Sequence, residues 1–166
     1  MNSLETFKSK HSNILNRVRG VHLQVSPLVF SKESQVFELH DLVHKLITCE
    51  KLLNGIELKE ILSDLGTLTM RVYNAYLLLL LYFRLGEFEK VVKFVESDQD
   101  RFFKDSFSKL SGKVGLKSAD LENYILQIYQ INADSLMMTE QYKKANKVFY
   151  TLCKVYNKWK VKNQNT

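Results

Sequence analysis

Residues 71–96 read RVYNAYLLLLLYFRLGEFEKVVKFVE and form the most apolar part of the chain. From Tyr76 to Phe83 every residue is aliphatic or aromatic. A helix of this composition has no polar face, so other parts of the protein have to enclose it. The pattern therefore predicts a buried helix that ends at a corner near Leu85-Gly86, followed by an amphipathic helix that turns its apolar side inward.

The composition predicts one helical domain rather than a many-stranded or disordered chain. Hydrophobic residues make up 45% of the 166 residues, which is too many for general disorder. Pro27 is the only proline and there are six glycines, so few residues interrupt long helices. We expect a single α-helical domain over residues 33–162, a peripheral N-terminal helix and loop over residues 1–32, and a frayed tail over residues 163–166.

Every strong hydrophobic period in the chain is helical, and no alternating strand pattern stands out. The predicted fold class is all-α, with about seven to eight helices in stacked antiparallel hairpins or in an irregular bundle. We expect helices over residues 4–22, 33–53, 56–65, 67–85, 87–96, 101–110, 118–138 and 141–160. Residues 23–32 are expected to form a loop around Pro27, and Asn54-Gly55 to close the second helix as a left-handed cap.

No segment has the features of a signal peptide or of a membrane span. Residues 2–20 are polar and charged where a signal peptide needs an apolar core. The densest apolar run, Ala75–Phe83, has nine residues, whereas a membrane span needs about 20. Cys49 and Cys153 are too few for a disulfide framework or a zinc site, which favours a reducing compartment. We therefore expect an intracellular protein, either cytoplasmic or nuclear.

Two segments share one plan, namely a long apolar helix, a polar corner and an amphipathic helix. The first corner reads YFRLGEFEKV from Tyr82 to Val91, and the second reads LMMTEQYKKA from Leu136 to Ala145. Large, small and aromatic residues recur in the second segment at Tyr129, Ala133, Leu136, Tyr142, Ala145 and Phe149. The first segment follows the plan at Leu78, Tyr82, Gly86 and Phe88, with bulkier residues at Leu79, Val91 and Val95. This arrangement resembles two degenerate tetratricopeptide-repeat hairpins.

The resemblance implies a scaffold or adaptor, because such repeats stack into concave surfaces that bind peptides or helices. Family members that clamp a C-terminal carboxylate use lysine, arginine and asparagine at set positions of the inner helices. Asn74 and Asn132 are one position away from where those asparagines fall, and lysine and arginine are scarce on these helices. The resemblance therefore implies a protein-binding module without a carboxylate clamp. An irregular bundle explains the same hairpins, since every helical hairpin needs a corner and two apolar stripes.

Two histidines have part of the spacing of a metal site. His40 and His44 are one helical turn apart, with Asp41 between them. Zinc needs further ligands, and Cys49 lies more than a turn further along the helix. We interpret these residues as a half-exposed helix face, and we expect no metal site and no cofactor.

Three acidic residues, Glu57, Glu60 and Asp64, share one stripe of a short predicted helix. Paired carboxylates act as acid and base only in a cleft that shifts their pKa values, and nothing in the pattern predicts a cleft. No phosphate-binding glycine loop or nucleophile motif is present in the sequence. We therefore expect a protein that is not an enzyme.

The last predicted helix is strongly basic, and the positive charge of the chain is concentrated at its two ends. Residues 141–166 contain seven lysines and no acidic residue, in a chain whose net charge is +6. One stripe of this helix is apolar and contains Ala145, Val148, Phe149, Leu152, Val155, Tyr156 and Trp159. The candidate partner-binding residues are Lys143, Lys147, Lys154, Lys158, Trp159, Lys160 and Lys162.

A basic amphipathic helix can bind an acidic protein, a phosphate backbone or an anionic membrane. Arginine and exposed, interleaved aromatic residues help to read nucleic acid, and we expect both to be sparse on this helix. The first prediction is therefore a protein partner with an acidic surface or peptide, in a hetero-oligomer rather than a monomer. Nucleic acid is the second choice. The alternative without function is a core-packed terminal helix whose lysines only keep it soluble.

Overall fold

The structure is a computed structural model that describes residues 3–33, 35–97 and 119–164. Side chains are described for these residues except at positions 3–10, 58, 62, 119, 155 and 158–164. The helix predicted over residues 101–110 lies outside the described residues.

Seven helices and no strand form the described part of the chain, which confirms the all-α fold class. In chain order they are α1 (Ser3–Val29), α2 (Val36–Asn54), α3 (Leu58–Ser63), α4 (Leu65–Arg84), α5 (Phe88–Glu96), α6 (Ala119–Met138) and α7 (Tyr142–Gln164). They group into two compact units, Met1–Leu81 and Tyr82–Thr166, and the boundary falls within α4. The predicted division at residues 32 and 162 stays a prediction.

α1 is longer than the sequence predicts, and the loop expected over residues 23–32 is wrong as far as Val29. Pro27 lies inside this helix, where its ring and its missing N–H cost about 3 kcal/mol in general. Contacts within the first unit offset this cost. Val25 and Val29 are buried, and the Ser26 Oγ lies 2.8 Å from the Tyr73 hydroxyl oxygen of α4. Burial in the first unit therefore stabilises α1 beyond Pro27, although proline ends most helices.

α2 packs against α1 and buries one stripe of its surface. It begins after Gln35, whose backbone N–H donates to the Glu38 carboxylate at 3.2 Å. Gly55 has φ −72°, so the predicted left-handed cap at the other end is wrong. The helix ends in a tighter turn instead, because the Gly55 N–H donates to the Leu52 carbonyl three residues back.

α4 is the long apolar helix that the stretch predicts, and its leucines are mostly buried. Leu77, Leu78, Leu79 and Leu81 are each 2% exposed or less. Consecutive residues of a helix point about 100° apart, and the side of α4 that carries Tyr76, Leu80 and Phe83 is only half-buried. α4 is therefore largely but not completely enclosed.

In the second unit, α6 packs against both α5 and α7. The buried cluster contributed by the three helices consists of Val92, Leu136 and Ala145, with Val148 and Phe149 packed at its edge. Ala145 is wholly buried, and its small side chain lets α7 approach its neighbours closely. The small residue that the sequence places after the second corner therefore has a packing role.

The corner after α4 is a Schellman motif. Gly86 takes φ +74° and its N–H donates to the Phe83 carbonyl at 3.0 Å, while the Glu87 N–H donates to the Tyr82 carbonyl at 2.9 Å. Glycine adopts this left-handed conformation without the cost that a Cβ atom imposes on other residues. Across the corner, the rings of Phe83 and Phe88 meet edge to face with centroids 5.2 Å apart.

The corner after α6 repeats this motif 54 residues later, with a glutamate in place of the glycine. Glu140 takes φ 62° and its N–H donates to the Met137 carbonyl at 3.1 Å, while the Gln141 N–H donates to the Leu136 carbonyl at 2.8 Å. Both predicted corners are therefore present and alike. Because Schellman corners end many helices, the resemblance to tetratricopeptide repeats stays a prediction.

These two corners predict opposite effects for two substitutions. Gly86→Ala places a Cβ atom at positive φ, which lowers the free energy of unfolding by about 1 kcal/mol. The Cβ would meet no atom within 4 Å, so the backbone alone accounts for the loss. Glu140→Gly relieves the same strain and raises the free energy of unfolding by roughly 0.5–1 kcal/mol. Urea unfolding followed by far-UV circular dichroism measures both changes.

The matched control is Gly20→Ala. Gly20 is exposed within α1, its Cβ would also meet open space, and its φ is not positive. This substitution raises helix propensity, so stability increases by about 0.5–1 kcal/mol. A stabilising or neutral Gly86→Ala would contradict the corner geometry.

Candidate functional site

The candidate partner-binding residues lie on α7, whose 23 residues include seven lysines and no acidic residue. Lys143, Lys147 and Lys154 are exposed, and their spacing of four and seven residues places them on one face of the helix. We call these three residues the lysine stripe. Lys143 and Lys147 form no ion pair within the described part of the chain. Lys144 lies off this face, and its Nζ is 3.2 Å from the Glu96 Oε1 of α5.

The other four candidates are Lys158, Trp159, Lys160 and Lys162. They belong to the last turns of α7, and their side chains lie outside the described ones. The structure therefore places the lysine stripe, and the assignment of the remaining four residues to a partner stays a prediction.

Tyr150 lies between Lys147 and Lys154 on the face of the lysine stripe and is 65% exposed. The Lys154 Nζ lies 4.9 Å from the centroid of the Tyr150 ring, within the range of a cation–π interaction. At an exposed site such a contact contributes about 0.5–1 kcal/mol. The ring therefore favours one position of this ammonium group on the helix surface.

A second row of side chains on α7 is aromatic. Tyr142, Phe149 and Tyr156 are spaced by seven residues, so they lie along one side of the helix. Tyr142 is 52% exposed, Tyr156 is 48% exposed, and Phe149 is half-buried at the edge of the core cluster. We call these three residues the aromatic stripe.

This row corrects one expectation. Exposed aromatic residues were expected to be sparse on this helix, and that prediction is wrong, since Tyr142, Tyr150 and Tyr156 are exposed. From residue 150 to residue 157, every described side chain except that of Leu152 is exposed. This exposure of described side chains in the second half of α7 is not revealed by a helical period alone.

A buried polar network, which the sequence reasoning missed, joins α1, α2 and α4 in the first unit. At its centre is Asn74 of α4, which has no exposed surface. Its Nδ2 donates to the Leu46 carbonyl at 3.2 Å and to the Glu50 Oε1 at 2.9 Å. Because the amide nitrogen donates to both groups, its oxygen is the acceptor, and the His22 Nε2 donates to it at 2.9 Å.

Arg71 extends this network along α4. Its guanidinium donates to the Asn54 Oδ1 at 2.6 Å and lies 3.9 Å from the Glu50 Oε2. The His22 ring meets the Tyr73 ring edge to face, with centroids 5.3 Å apart. All the charged groups of the network are buried, so it stabilises the contact of three helices and offers no surface to a ligand.

Burial determines the protonation of this network. Burial lowers the pKa of His22, and the hydrogen bond to Asn74 opposes that shift in part. Burial raises the pKa of Glu50, against the opposing effects of Arg71 and Asn74. Burial also raises the pKa of the Cys49 thiol to about 11, helped by the Glu50 carboxylate. Cys49 is therefore a protonated core residue at neutral pH and not an activated nucleophile.

The two groups interpreted as solvated faces do not come together as sites. His40, Asp41 and His44 are all exposed on α2. Glu60 contacts a buried histidine instead of its acidic neighbours, since the His11 Nε2 lies 2.9 Å from its Oε2. Among the residues that the structure describes, no group of three or more His, Cys, Asp or Glu is placed to hold a metal ion.

Comparison with known proteins leaves the family of this chain open. No protein-family model, no curated protein and no solved structure matches it. The described helices also include none that is long and apolar enough to cross a membrane. Function therefore has to be inferred from the residues and their geometry.

The network predicts that Asn74 contributes more to stability than a comparable buried asparagine. Asn74→Ala strands three hydrogen-bonding groups in the core, at about 1 kcal/mol each, so the free energy of unfolding falls by about 3 kcal/mol. The matched control is Asn132→Ala on α6, where the buried Oδ1 makes no hydrogen bond in the described structure. That variant loses about 1 kcal/mol or less. Urea unfolding measures both, and equal losses would contradict the network.

His22 predicts an acid-dependent loss of stability. Its folded-state pKa is below the unfolded value, so the unfolded chain binds the proton more readily. The stability that neutral His22 provides is fully present above about pH 6.5 and is lost as the pH falls below that value. His22→Gln keeps an N–H donor for Asn74 and removes the titration. Between about pH 6.5 and pH 5, wild-type stability should fall more steeply than that of the variant, by at most about 1.4 kcal/mol per pH unit.

Urea unfolding across this pH range measures the difference between the two proteins. Glu50, whose pKa is raised, acts in the opposite direction, but it is present in both and cancels in the difference. His40→Gln, which removes an exposed histidine outside the network, is the matched control and should follow the wild type. The same steepness in wild type and His22→Gln would refute the assignment.

Proposed function

We propose that this chain is a non-enzymatic protein–protein interaction module, a scaffold or adaptor subunit of a larger intracellular complex, and that the lysine stripe of α7 binds an acidic partner. Lys143 and Lys147 carry this proposal, since they are exposed on a helix without acidic residues and form no ion pair with the residues that the structure describes. An acidic surface that approaches this face relieves the mutual repulsion of the lysines. It also accelerates association by electrostatic steering.

Binding of a partner to the lysine stripe requires several ion pairs at once. An exposed ion pair contributes about 0.2–1 kcal/mol, so one lysine does not hold a partner. The lysine stripe spans 11 residues, or roughly 16 Å along the helix, which is long enough for several pairs to form together. Such a surface suits a partner with repeated acidic residues and a hetero-oligomeric complex.

The rest of the chain supports a binding role rather than a catalytic one. The polar side chains that meet Asn74, those of His22 and Glu50, are buried with it. In both hairpins the first helix ends in the same type of corner. The proposed resemblance to repeats that present helices to partners also requires a corner at these two places. Both cysteines are free thiols, as suits a reducing compartment.

One observation favours nucleic acid as a second candidate. Tyr150, Tyr142 and Tyr156 are exposed next to the lysines, and aromatic rings between cations can stack on bases. The lysines would then contact phosphates, and the affinity would fall steeply as salt rises.

The test compares a lysine-stripe variant with a matched control of equal charge. Lys143→Gln, Lys147→Gln and Lys154→Gln together remove the stripe; Lys51→Gln, Lys59→Gln and Lys93→Gln remove three exposed lysines elsewhere. The probe is a fluorescent polyglutamate peptide, and anisotropy gives Kd. Three lost pairs of about 0.5 kcal/mol each weaken binding by about tenfold in the stripe variant. The control should change by less than about threefold.

Equal weakening in the two variants would overturn the proposal, because it would show a response to net charge alone. A thymidine oligonucleotide of equal charge is the second probe, measured at about 50 and 200 mM salt. Tighter binding to the oligonucleotide than to polyglutamate, lost on Tyr150→Ala, would replace the acidic protein partner with nucleic acid.

A further inference from the structure

Tyr150 lies inside the lysine stripe. Successive residues of a helix point about 100° apart, so four side chains fall within an arc of about 60° around α7, namely Lys143, Lys147, Tyr150 and Lys154. Along the helix axis, Tyr150 is roughly 4–5 Å from Lys147 and roughly 6 Å from Lys154. A partner segment that pairs with both of these lysines therefore passes over the tyrosine ring.

The Tyr150 ring is also the most exposed aromatic side chain among those described on α7. Its exposed fraction is 65%, against 52% for Tyr142 and 48% for Tyr156. A tyrosine side chain has only two χ angles, so it offers a large contact area at a low cost in conformational entropy. For this reason tyrosine is common among the residues that contribute most to binding at interfaces. The lysine stripe thus contains one side chain suited to an apolar contact.

The ring also positions one of the cations. The Lys154 Nζ lies 4.9 Å from the centroid of the Tyr150 ring. A lysine that is already held against a ring loses less conformational freedom when it pairs with a carboxylate. Its ammonium group has three N–H donors, so donors remain for a partner while the group contacts the ring. Tyr150 therefore prepares Lys154 for an ion pair as well as offering its own surface.

The chemistry of the ring selects what lies over it. The face of an aromatic ring carries partial negative charge, so a carboxylate placed over that face is repelled. An apolar side chain in the same place buries surface of its own and of the ring. On this stripe, acidic residues therefore fit over the lysines, and an apolar residue fits over Tyr150.

We propose that Tyr150 determines which acidic segments bind the lysine stripe, by packing on an apolar side chain that the partner carries between its carboxylates. The carboxylates on one side of that apolar residue pair with Lys143 and Lys147, and those on the other side pair with Lys154. This inference rests on the proposed function and adds an apolar position to the acidic partner. A purely acidic segment pairs with the same lysines but leaves the ring in water.

The experiment compares two fluorescent peptides of equal charge on the full chain. Each has three glutamates on either side of a central pair, which is two leucines in one peptide and two serines in the other. Fluorescence anisotropy gives Kd for each. The leucine peptide should bind about fivefold tighter than the serine peptide, because only it buries apolar area against the Tyr150 ring.

Tyrosine variants locate this preference. Tyr150→Ser should remove it and weaken the serine peptide by less than about twofold, whereas Tyr150→Phe keeps the ring and should keep the preference. The matched control is Tyr156→Ser, which removes an exposed tyrosine about 120° around the helix from Tyr150. This control should keep the preference. Circular dichroism verifies that each variant retains its helices.

The outcomes separate this inference from the proposed function. Equal binding of both peptides, weakened by loss of the lysine stripe, would overturn the apolar position and leave the acidic partner intact. Binding of neither peptide would overturn both. A preference for the leucine peptide that survives in Tyr150→Ser would overturn the role of Tyr150. Tighter binding of the thymidine oligonucleotide than of the leucine peptide, weakened in Tyr150→Ser, would assign the ring to a base and also overturn the inference.

Discussion

The hydrogen bonds of the Asn74 amide constrain the arrangement of the first unit. α4 is so apolar that packing alone accepts many rotations and translations of neighbouring helices against it. A buried amide restricts these rotations and translations, because each hydrogen bond that it fails to make in the core costs free energy. His22 of α1 and Glu50 of α2 meet the Asn74 amide from different helices, so α1 and α2 each have one favoured register on α4.

The network also explains why a polar group is kept in this core. Replacing a buried polar network by apolar side chains often preserves stability, but polar partners reward one arrangement over others. The continuation of α1 through Pro27 fits this view, since His22 and Ser26 both contact α4 close to the proline. Burial of Val25 and Val29 around these contacts offsets the cost of the proline.

The apolar helix of the first hairpin and the amphipathic helix of the second differ in burial. Most leucines of α4 are buried, whereas the second half of α7 is exposed at nearly every described side chain. Exposed tyrosines beside exposed lysines are tolerable in water, because the phenol ring carries a hydroxyl and the ammonium groups stay hydrated. This combination leaves a surface that is soluble alone and still has apolar area to bury on a partner.

The lysines of the proposed site could be identified from the sequence. The exposure of tyrosines on the same helix could not. Seven lysines on one terminal helix are visible to anyone who counts them. The exposure of Tyr142 and Tyr156 is not, because a seven-residue apolar spacing looks the same whether or not a neighbour covers it. The buried network left only a weak signal, namely Glu50 and Asn74 as polar residues on otherwise apolar faces.

The sequence by itself determined the all-α class, the apolar central helix and both corners. These follow from local properties: the 3.6-residue period, an apolar run without a polar face, and residues at the corners that end a helix. Tertiary structure decided the length of α1, the ordinary φ of Gly55, the three-helix network around Asn74 and the open side of α7. Each of these features depends on which helix surfaces pack against each other. The stabilising contacts are made by residues that are far apart in the chain.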